Sequence, residues 1–460
     1  MTSLKTLIKT ILNVNAVVED VTLEDSFEGA PAILIDVRPR QNAQPRCPVC
    51  GRACPRYDNG GSLDRIHWRA PDLNGIRVFL RCLTCRVSCP EHGVHAMMVP
   101  WAFPSSRFTK DFDHLVAWFA TRLPKSTVAE YLRIDWKTVG RCISRVHAEL
   151  EPDMSKRLDG LVHIGVDETS YRKGHSYITV VVNHDTNTVV WAAPNHGKSV
   201  FSKFFEALTP EQRASIKVVS GDGARWIDEC MAAYIPDAKR CVDPFHVVCW
   251  ATDVVDEVRR QSWRGLVAEA EQLKKLLKEE KEKAKEAKTK VTTDKEDELQ
   301  EQFAKTSALA TMIKKSQWTL AKRSTQLTDE DLARLEQIHN ASPELHEAYT
   351  LKDNLRSLLK THSPETVAAL LPDWIASAKA SPIEEISKLG EKIERHTPHI
   401  LDTLKFKLSN ARIEATNNKI KLIIRKAYGF RDVHNLLDMV LLVCSDIKIP
   451  LPNIELKAFC

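Results

Sequence analysis

The stretch that decides the fold reads LVHIGVDETSYRKGHSYITVVV and spans residues 161–182. Apolar residues alternate with His163, Gly165 and Asp167, a short basic turn follows, and residues 177–182 are rich in β-branched side chains. Alternation with a period of two predicts a strand, and a β-branched run predicts a strand that is buried on both faces. The stretch therefore predicts a β-hairpin that holds the carboxylate of Asp167 rigidly at the end of its first strand.

Two further segments supply acidic side chains that can join Asp167. The segment IKVVSGDGARW at 216–226 is an apolar strand followed by Asp222, and its glycines permit a sharp turn. The segment SNARIEATNNKIKLIIRKAYGFR at 409–431 has helical periodicity and carries Glu414 in its first turns. Taken alone, each acid also fits a turn, a cap or a solvated helix position. Three carboxylates on two strands and a helix, however, can hold two Mg²⁺ or Mn²⁺ ions for phosphoryl transfer.

The order of the predicted elements supports a single domain around these acids. After the hairpin come a third strand at 188–193, a helix at 199–208, the strand before Asp222 and a further strand at 239–243. This order is the connectivity of a ribonuclease-H-like α/β domain.

Four blocks of the sequence resemble one protein family. GVDETSYRKGH, SGDGARW, CVDPFHV and EATNNKIKLIIRKAYGFR resemble the transposases of bacterial insertion sequences, specifically the ISL-three group. The resemblance covers roughly residues 40–440. It implies a zinc-binding segment, a helix-turn-helix and a DDE catalytic domain with Asp167, Asp222 and Glu414 as the catalytic acids. The family often has glycine after the glutamate, where this chain has Ala415.

The DPFH block lies close to the active site in that family. Asp243 and His246 of this block can position a phosphate, and Asp243 can compete for metal; equally, the block can simply end a strand and begin a helix. In the late helix, Asn417 and Asn418 can supply neutral hydrogen bonds near the acids. The basic residues expected to hold the DNA backbone there are Lys419, Lys421, Arg425 and Lys426.

Composition indicates a soluble protein with a polyanionic partner. The chain has 460 residues, 43% hydrophobic and 28% charged, which is enough for two or three domains. Residues 37–90 hold ten Arg against three acidic residues, and residues 403–431 hold eight Lys or Arg against Glu414 alone. Basic segments with interleaved aromatic residues favour nucleic acid over a merely solubilising surface. Because no membrane-spanning run or signal peptide is recognisable, we expect a bacterial cytoplasmic protein that joins the nucleoid when bound to DNA.

Six of the twelve cysteines lie between residues 47 and 89, which favours metal ligation over disulfides. The sequences CPVC and CLTC form two CxxC knuckles, and two knuckles can complete a tetrahedral sulfur shell around a structural Zn²⁺ ion. The predicted ligands are Cys47, Cys50, Cys82 and Cys85. Further candidates for a second or substituted ligand set are Cys54, Cys89, His92 and His95.

Residues 104–150 predict a helical unit. Ser126 can cap one helix, and Asp135 or Trp136 begins the next after a short turn, which is helix-turn-helix spacing. A plain three-helix bundle would give the same pattern, and the family resemblance favours the helix-turn-helix. The residues expected to face a DNA groove are Lys137, Thr138 and Arg141.

A long insertion separates the last predicted strand of the catalytic domain from Glu414. Residues 247–405 are helical in pattern, and residues 271–300 hold nine Lys and nine acidic residues. That balance predicts an exposed helix with i,i+4 ion pairs, compatible with a coiled-coil arm. The insertion is a candidate platform for a homodimer interface or for transposon-end DNA, and a purely structural bundle is the alternative.

The sequence therefore predicts an α+β multidomain protein. Its parts are an N-terminal zinc-binding β module at 1–100, a helix-turn-helix at 101–155, a ribonuclease-H-like core at 160–250 and 405–445, and an all-helical insertion at 251–404.

The expected function is that of an insertion-sequence transposase. Such a protein binds terminal inverted repeats in double-stranded DNA and uses metal ions to cleave strands and transfer them to target DNA. One alternative is a catalytically inactive DNA-binding regulator, which would have no need of three metal-binding acids. The other is a ribonuclease-H-like nuclease or resolvase, which the sequence-reading modules disfavour.

Overall fold

The computed structural model describes residues 5–6, 8, 16–40, 44–59, 65–286, 294–361, 363–408 and 411–450. Within these ranges the chain forms three β-sheets and a large set of helices. The mixture of helices and strands expected from the sequence is confirmed.

The N-terminal part contains two sheets built from short strands. The strands are β1 (Val17–Phe27), β2 (Ala30–Arg38), β3 (Arg56–Asp58), β4 (Ile66–Leu73), β5 (Ile76–Cys82), β6 (Arg86–Cys89) and β7 (Gly93–Ala96). The larger sheet has the order β1-β2-β5-β4, with β2 and β5 parallel. The smaller sheet, β3-β6-β7, carries the cysteine-rich segment.

Three helices follow the N-terminal sheets. They are α1 (Lys110–Ala120), α2 (Lys125–Leu132) and α3 (Trp136–Leu150). Arg133 ends α2 in the left-handed region at φ 55°, and the carboxylate of Asp135 caps α3 by accepting a 2.8 Å hydrogen bond from the backbone N–H of Lys137. The prediction that this helix begins at Asp135 or Trp136 is therefore confirmed. Ser126 is not a cap, because α2 already begins at Lys125 after Pro124.

The hairpin of residues 161–182 lies at the centre of the third sheet. The strands of this sheet are β8 (His163–Arg172), β9 (Ser176–Asn183), β10 (Thr188–Pro194), β11 (Val218–Gly221) and β12 (Lys239–Val242), in the order β10-β9-β8-β11-β12. The hairpin consists of β8 and β9. The first three strands are antiparallel neighbours, whereas β11 is parallel to both β8 and β12. Helices connect the parallel strands: α4 (Lys198–Glu206), α5 (Pro210–Ser215) and α6 (Arg225–Tyr234). β11 pairs with β8 only over His163–Gly165, whereas β8 continues to Arg172. The prediction that Asp167 ends the first strand of the hairpin is therefore wrong, because Asp167 lies in the middle of β8 and pairs with Val180 of β9.

A helical segment follows β12, as the sequence predicts. Its helices are α7 (Pro244–Glu286), α8 (Asp294–Lys315), α9 (Gln317–Ala321), α10 (Asp329–Ala341), α11 (Pro343–Thr361), α12 (Pro364–Lys379) and α13 (Glu384–Phe406). Helices α7 and α8 lie antiparallel, because Lys295 pairs with Glu280 at 3.1 Å while Arg259 donates to the carbonyl of Lys314 at 3.1 Å. The charged run is therefore helical up to Glu286 and again from Asp294, and residues 287–293 of the run lie outside the described residues.

The last helices return to the central sheet. These are α14 (Ala411–Lys426) and α15 (Val433–Cys444). One apolar core joins them to β9, β10 and the three helices α1–α3. Gly140 of α3 meets Asn435 so closely that a Cβ would lie 2.3 Å from its Oδ1. The helix-turn-helix segment is therefore packed firmly against the sheet.

No helix among the described residues has the length and apolarity that a membrane crossing requires.

Candidate active site and cysteine cluster

Asp167 lies on β8 and is half-buried, with both carboxylate oxygens engaged. Oδ1 accepts a hydrogen bond from the backbone N–H of Glu168 at 2.7 Å, and Oδ2 accepts one from the Asn417 side-chain amide at 2.6 Å. The Asn417 carbonyl oxygen in turn accepts from the Thr169 hydroxyl at 2.6 Å. Burial raises the pKa of Asp167, and the charge of Asp222 raises it further. Asp222 is thus an electrostatic neighbour of Asp167.

The backbone around Asp222 is held by packing and by an arginine. Asp222 follows β11, and its Oδ1 accepts a 3.0 Å hydrogen bond from the backbone N–H of Ala224. The buried guanidinium of Arg240 donates to the backbone carbonyl of Asp222. At Gly223 a Cβ would lie 2.2 Å from Trp250, so the close approach of α7 requires a glycine there. These contacts fix the turn that presents the Asp222 carboxylate.

Glu414 lies on α14, one helical turn before Asn417, and is exposed. The preceding residue, Ile413, packs onto β8, where a Cβ on Gly165 would lie 2.2 Å from Ile413 Cδ1. Residues three apart share one face of a helix. The late helix that carries Glu414 is therefore docked on the strand that carries Asp167.

The DPFH block also faces this region. Asp243 caps α7, since its Oδ1 accepts a 2.7 Å hydrogen bond from the backbone N–H of Phe245. The charge of His246 lowers the pKa of Asp167, opposing the larger effect of burial. Burial raises the pKa of the Cys249 thiol on the same helix, and both Asp243 and Glu414 add to that shift. The beginning of α7 therefore lies among the predicted acids.

One acidic residue of this region was missing from the sequence prediction. Glu168 is half-buried beside Asp167, and its Oε1 accepts a 3.1 Å hydrogen bond from the backbone N–H of Gly197. Burial raises its pKa, and Asp222 and Asp167 raise it further. The only feature of the sequence that marks Glu168 as a candidate site residue is its position directly after Asp167. The period of two of a strand places Glu168 on the face opposite Asp167, and Glu168 contacts Gly197 before α4 whereas Asp167 contacts Asn417 of α14.

Four potential metal ligands converge in the cysteine-rich segment. Cys47, Cys50, Cys89 and His92 each offer a ligand atom, and these atoms lie within 4.8 Å of one another. The sulfurs of Cys50 and Cys89 are 3.8 Å apart, and Cys89 Sγ lies 3.5 Å from His92 Nδ1. The His92 hydrogen bond lowers the pKa of Cys89 to about 6, which favours the thiolate form that binds metal.

The predicted partnership of the two CxxC knuckles requires correction. Cys82 ends β5 with only 1% of its surface exposed, inside the core of the larger N-terminal sheet. Burial raises the pKa of Cys82 to about 12, so its thiol stays protonated. The sulfur of Cys85 contacts Met97 Sδ at 3.4 Å. Cys89 and His92 therefore provide the two potential ligands of this cluster that the sequence assigned to Cys82 and Cys85.

The other candidate ligands lie at the edge of the cysteine cluster. The thiol of Cys54 contacts the carbonyl of Arg52 at 3.4 Å, and its pKa is raised by burial and by Cys89. His95 Nε2 lies 2.6 Å from the backbone oxygen of His92.

A polar cleft lies beside the helix-turn-helix. Lys137 and Arg141 are exposed on α3 and line it, and Arg172 at the end of β8 lines it from the catalytic sheet. Between α14 and α15, Arg431 and the 87% exposed Tyr428 complete the wall. Among the described residues, none forms an ion pair with these four cations of the cleft, which are Lys137, Arg141, Arg172 and Arg431. The cleft is therefore a basic surface shared by the helix-turn-helix and the sheet.

The remaining predicted DNA contacts lie outside this cleft. Thr138 is half-buried in the first turn of α3, and its backbone N–H donates to the Asp135 carbonyl at 2.9 Å. The four basic residues of α14 that were predicted to contact DNA are exposed, and two of them, Lys419 and Lys426, border a separate small pocket near the beginning of α2. The other two are Lys421 and Arg425.

Comparison with known proteins places this arrangement in a family. The ISL3 DDE family model, described as a transposase, matches residues 164–440, and the model described as the helix-turn-helix domain of transposase family ISL3 matches residues 97–147. The chain is 37% identical to the transposase for insertion sequence element IS1557 of Mycobacterium tuberculosis, over 95% of this chain and 94% of that protein. It is 27% identical to the transposase for insertion sequence element IS1001 of Bordetella parapertussis, over 84% of this chain and 85% of that protein. The chain belongs to the ISL3 family of insertion-sequence transposases.

Proposed function

We propose that this transposase binds the terminal inverted repeats of its element and cleaves and joins DNA strands at Asp167, Asp222 and Glu414. The observation that carries the proposal is the docking of α14 on β8. The amide of Asn417 holds Asp167, and Glu414 lies one turn away on the same helix. Asp222 follows the neighbouring parallel strand.

The strand order of the central sheet supports the prediction that the catalytic domain has a ribonuclease-H-like fold. Three antiparallel strands are followed by two parallel strands on the other side of β8, and helices make the crossovers. In such a sheet, side chains at the carboxyl ends of adjacent parallel strands meet at one edge. Asp222 directly follows β11, and the parallel register brings it level with Asp167, which lies in the middle of β8.

We place the proposed magnesium site at Asp167, Asp222 and Glu414, although among the described residues their ligand atoms do not form a group that lies within 4.8 Å of one another. Burial and mutual repulsion raise the pKa values of Asp167 and Glu168, which is the electrostatic signature of carboxylates that a cation would stabilise. Mg²⁺ held by Asp167, Asp222 and Glu414 would activate a water or a 3′-hydroxyl and stabilise the leaving oxygen. The protein itself orients these groups, because Asn417 fixes one oxygen of Asp167 and Arg240 fixes the backbone of Asp222.

The cysteine cluster fits a structural zinc ion. Zn–S bonds of about 2.3 Å imply sulfurs about 3.8 Å apart at the corners of a tetrahedron. The distance between Cys50 and Cys89 sulfurs, 3.8 Å, agrees with that value. Four protein ligands leave no open position, so we propose that zinc stabilises the small N-terminal sheet and takes no part in chemistry.

The shared cleft favours a DNA path in cis, in which one chain both reads and cuts the same duplex. The helix-turn-helix packs against the sheet through one core, and Gly140 meets Asn435 at its centre. A recognition helix fixed in this way cannot swing to a distant catalytic domain. The path from Arg141 to Arg172 therefore runs along the protein surface toward the strand that carries Asp167.

The catalytic role of Asp167 is tested by Asp167→Ala. With Mg²⁺ and DNA that carries the terminal inverted repeats, we expect cleavage to fall at least about 100-fold, because the metal ions lose an anionic ligand, while duplex binding in a gel shift is retained. Asp185→Ala is the matched control, since Asp185 is an exposed carboxylate after the same hairpin. Full cleavage by Asp167→Ala would contradict the proposal. Binding without cleavage by the wild-type protein would favour the regulator.

The role of Asn417 is tested by Asn417→Ala, with its exposed neighbour Asn418→Ala as the control. Loss of the two 2.6 Å hydrogen bonds should lower the free energy of unfolding by about 1–3 kcal/mol. Because Asp167 then loses its orientation, cleavage should fall by about 10-fold or more. Urea unfolding and cleavage assays measure the two effects. If both variants behave alike, α14 does not position Asp167.

The corrected ligand set is tested by zinc analysis of purified variants. Cys89→Ser should lose the bound zinc, because it removes a thiolate from the cluster, whereas Cys82→Ser should retain it. The opposite result would restore the paired CxxC knuckles.

The DNA path is tested by the salt dependence of binding. Arg141→Ala and Arg172→Ala should each weaken binding to the duplex and reduce the salt slope by about 1, since each removes a phosphate contact. Lys203→Ala, an exposed cation on α4 outside the cleft, serves as the control. An Arg172→Ala variant with wild-type binding would show that the duplex does not extend to the catalytic sheet.

A further inference from the structure

A second group of potential metal ligands lies far from the cysteine cluster. Asp228 on α6 and His396 and His399 on α13 offer ligand atoms that lie within 4.8 Å of one another. We propose that these three residues bind a transition-metal ion of the Zn²⁺ class and that the ion fastens the helical segment to the central sheet.

The geometry of the two histidines carries the first step of the inference. They lie three residues apart in the sequence HTPH, so both rings project from one face of α13. Their Nδ1 atoms are 3.3 Å apart. Two nitrogens bound to one tetrahedral ion at about 2.0–2.1 Å would be separated by about the same distance. The rings are therefore already spaced as a pair of ligands.

One ring nitrogen of His396 is buried without a partner in the part of the chain that the structure describes, but it is not the nitrogen that faces His399, because the 3.3 Å contact joins the two Nδ1 atoms. The His396 ring is 2% exposed, and among the described residues its Nε2 atom has no hydrogen-bond partner. A buried polar atom without a partner is costly.

The third ligand is oriented by a neighbouring cation. Arg240 Nε donates to Asp228 Oδ1 at 3.0 Å, and no contact of the described residues engages Oδ2. Such a hydrogen bond orients a ligating carboxylate, although the positive charge of Arg240 also reduces affinity for a cation. Two imidazoles and one carboxylate suit Zn²⁺ better than Mg²⁺, and they leave a fourth position for water.

This site would connect the helical segment to the catalytic turn. Arg240 bonds Asp228 through one nitrogen and the backbone carbonyl of Asp222 through another. An ion that fixes Asp228 against α13 would therefore limit the movement of the segment beside Asp222. The site does not require the proposed DNA chemistry, and its tests do not use cleavage.

The first test counts zinc on the full-length chain. Protein is incubated with Zn²⁺ in excess Mg²⁺, which occupies the oxygen-rich acidic site, and is then desalted and analysed for metal. We expect two zinc ions per chain in the wild-type protein and one in the His396→Ala/His399→Ala variant, a two-fold loss. The matched control is His339→Ala/His346→Ala, a histidine pair of the same helical segment with ring centroids 4.3 Å apart. Equal zinc content in all three proteins would overturn the proposal.

The second test uses only wild-type protein, so a folding defect of the variant cannot obscure it. Amide hydrogen exchange is compared with Zn²⁺ and with a chelator. Zinc should slow exchange in α6 and α13, because a bound ion opposes their separation. Protection confined to the cysteine-rich segment would overturn the inference.

Discussion

The docking of one late helix on one central strand is the constraint on which the rest of the structure depends. Ile413 fills the space left by the missing side chain of Gly165, and Asn417 bonds Asp167 and Thr169. These contacts join parts of the chain that are some 250 residues apart. The long helical segment must therefore leave the sheet after β12 and return to it, and α13 makes that return by packing on β12.

The groups that orient Asp167 and Asp222 leave the negative charge of both carboxylates in place. Asp167 is held by a neutral amide, and Arg240 reaches the backbone of Asp222 while pairing with a different carboxylate, Asp228. A cation bonded directly to Asp167 or Asp222 would neutralise the negative charge that the proposed binding of Mg²⁺ requires. Amide and backbone contacts orient the acids without that loss, which is consistent with a site prepared for divalent ions.

The common core of the helix-turn-helix and the sheet has a functional consequence. Buried polar contacts reinforce the apolar packing, since Asp438 of α15 accepts from Ser144 and lies 2.9 Å from His147 Nδ1, both on α3. A recognition helix held by such contacts has a fixed orientation relative to the catalytic acids. DNA that occupies the basic cleft would therefore approach the sheet in one direction only.

The sequence by itself determined what local patterns encode: the hairpin with Asp167 on its first strand, the glycine turn at Asp222, the beginning of α3 and the helical character of the described part of the insertion. Period, capping and turn chemistry are properties of neighbouring residues. Glu414 is a candidate because it lies in the first turns of a segment with helical periodicity, and the family resemblance implies its catalytic role. Only the tertiary structure decided which distant side chains meet. CxxC spacing does not reveal that Cys82 points into a sheet core, and no periodicity brings Asp228 to His396, because such contacts arise when separate elements pack.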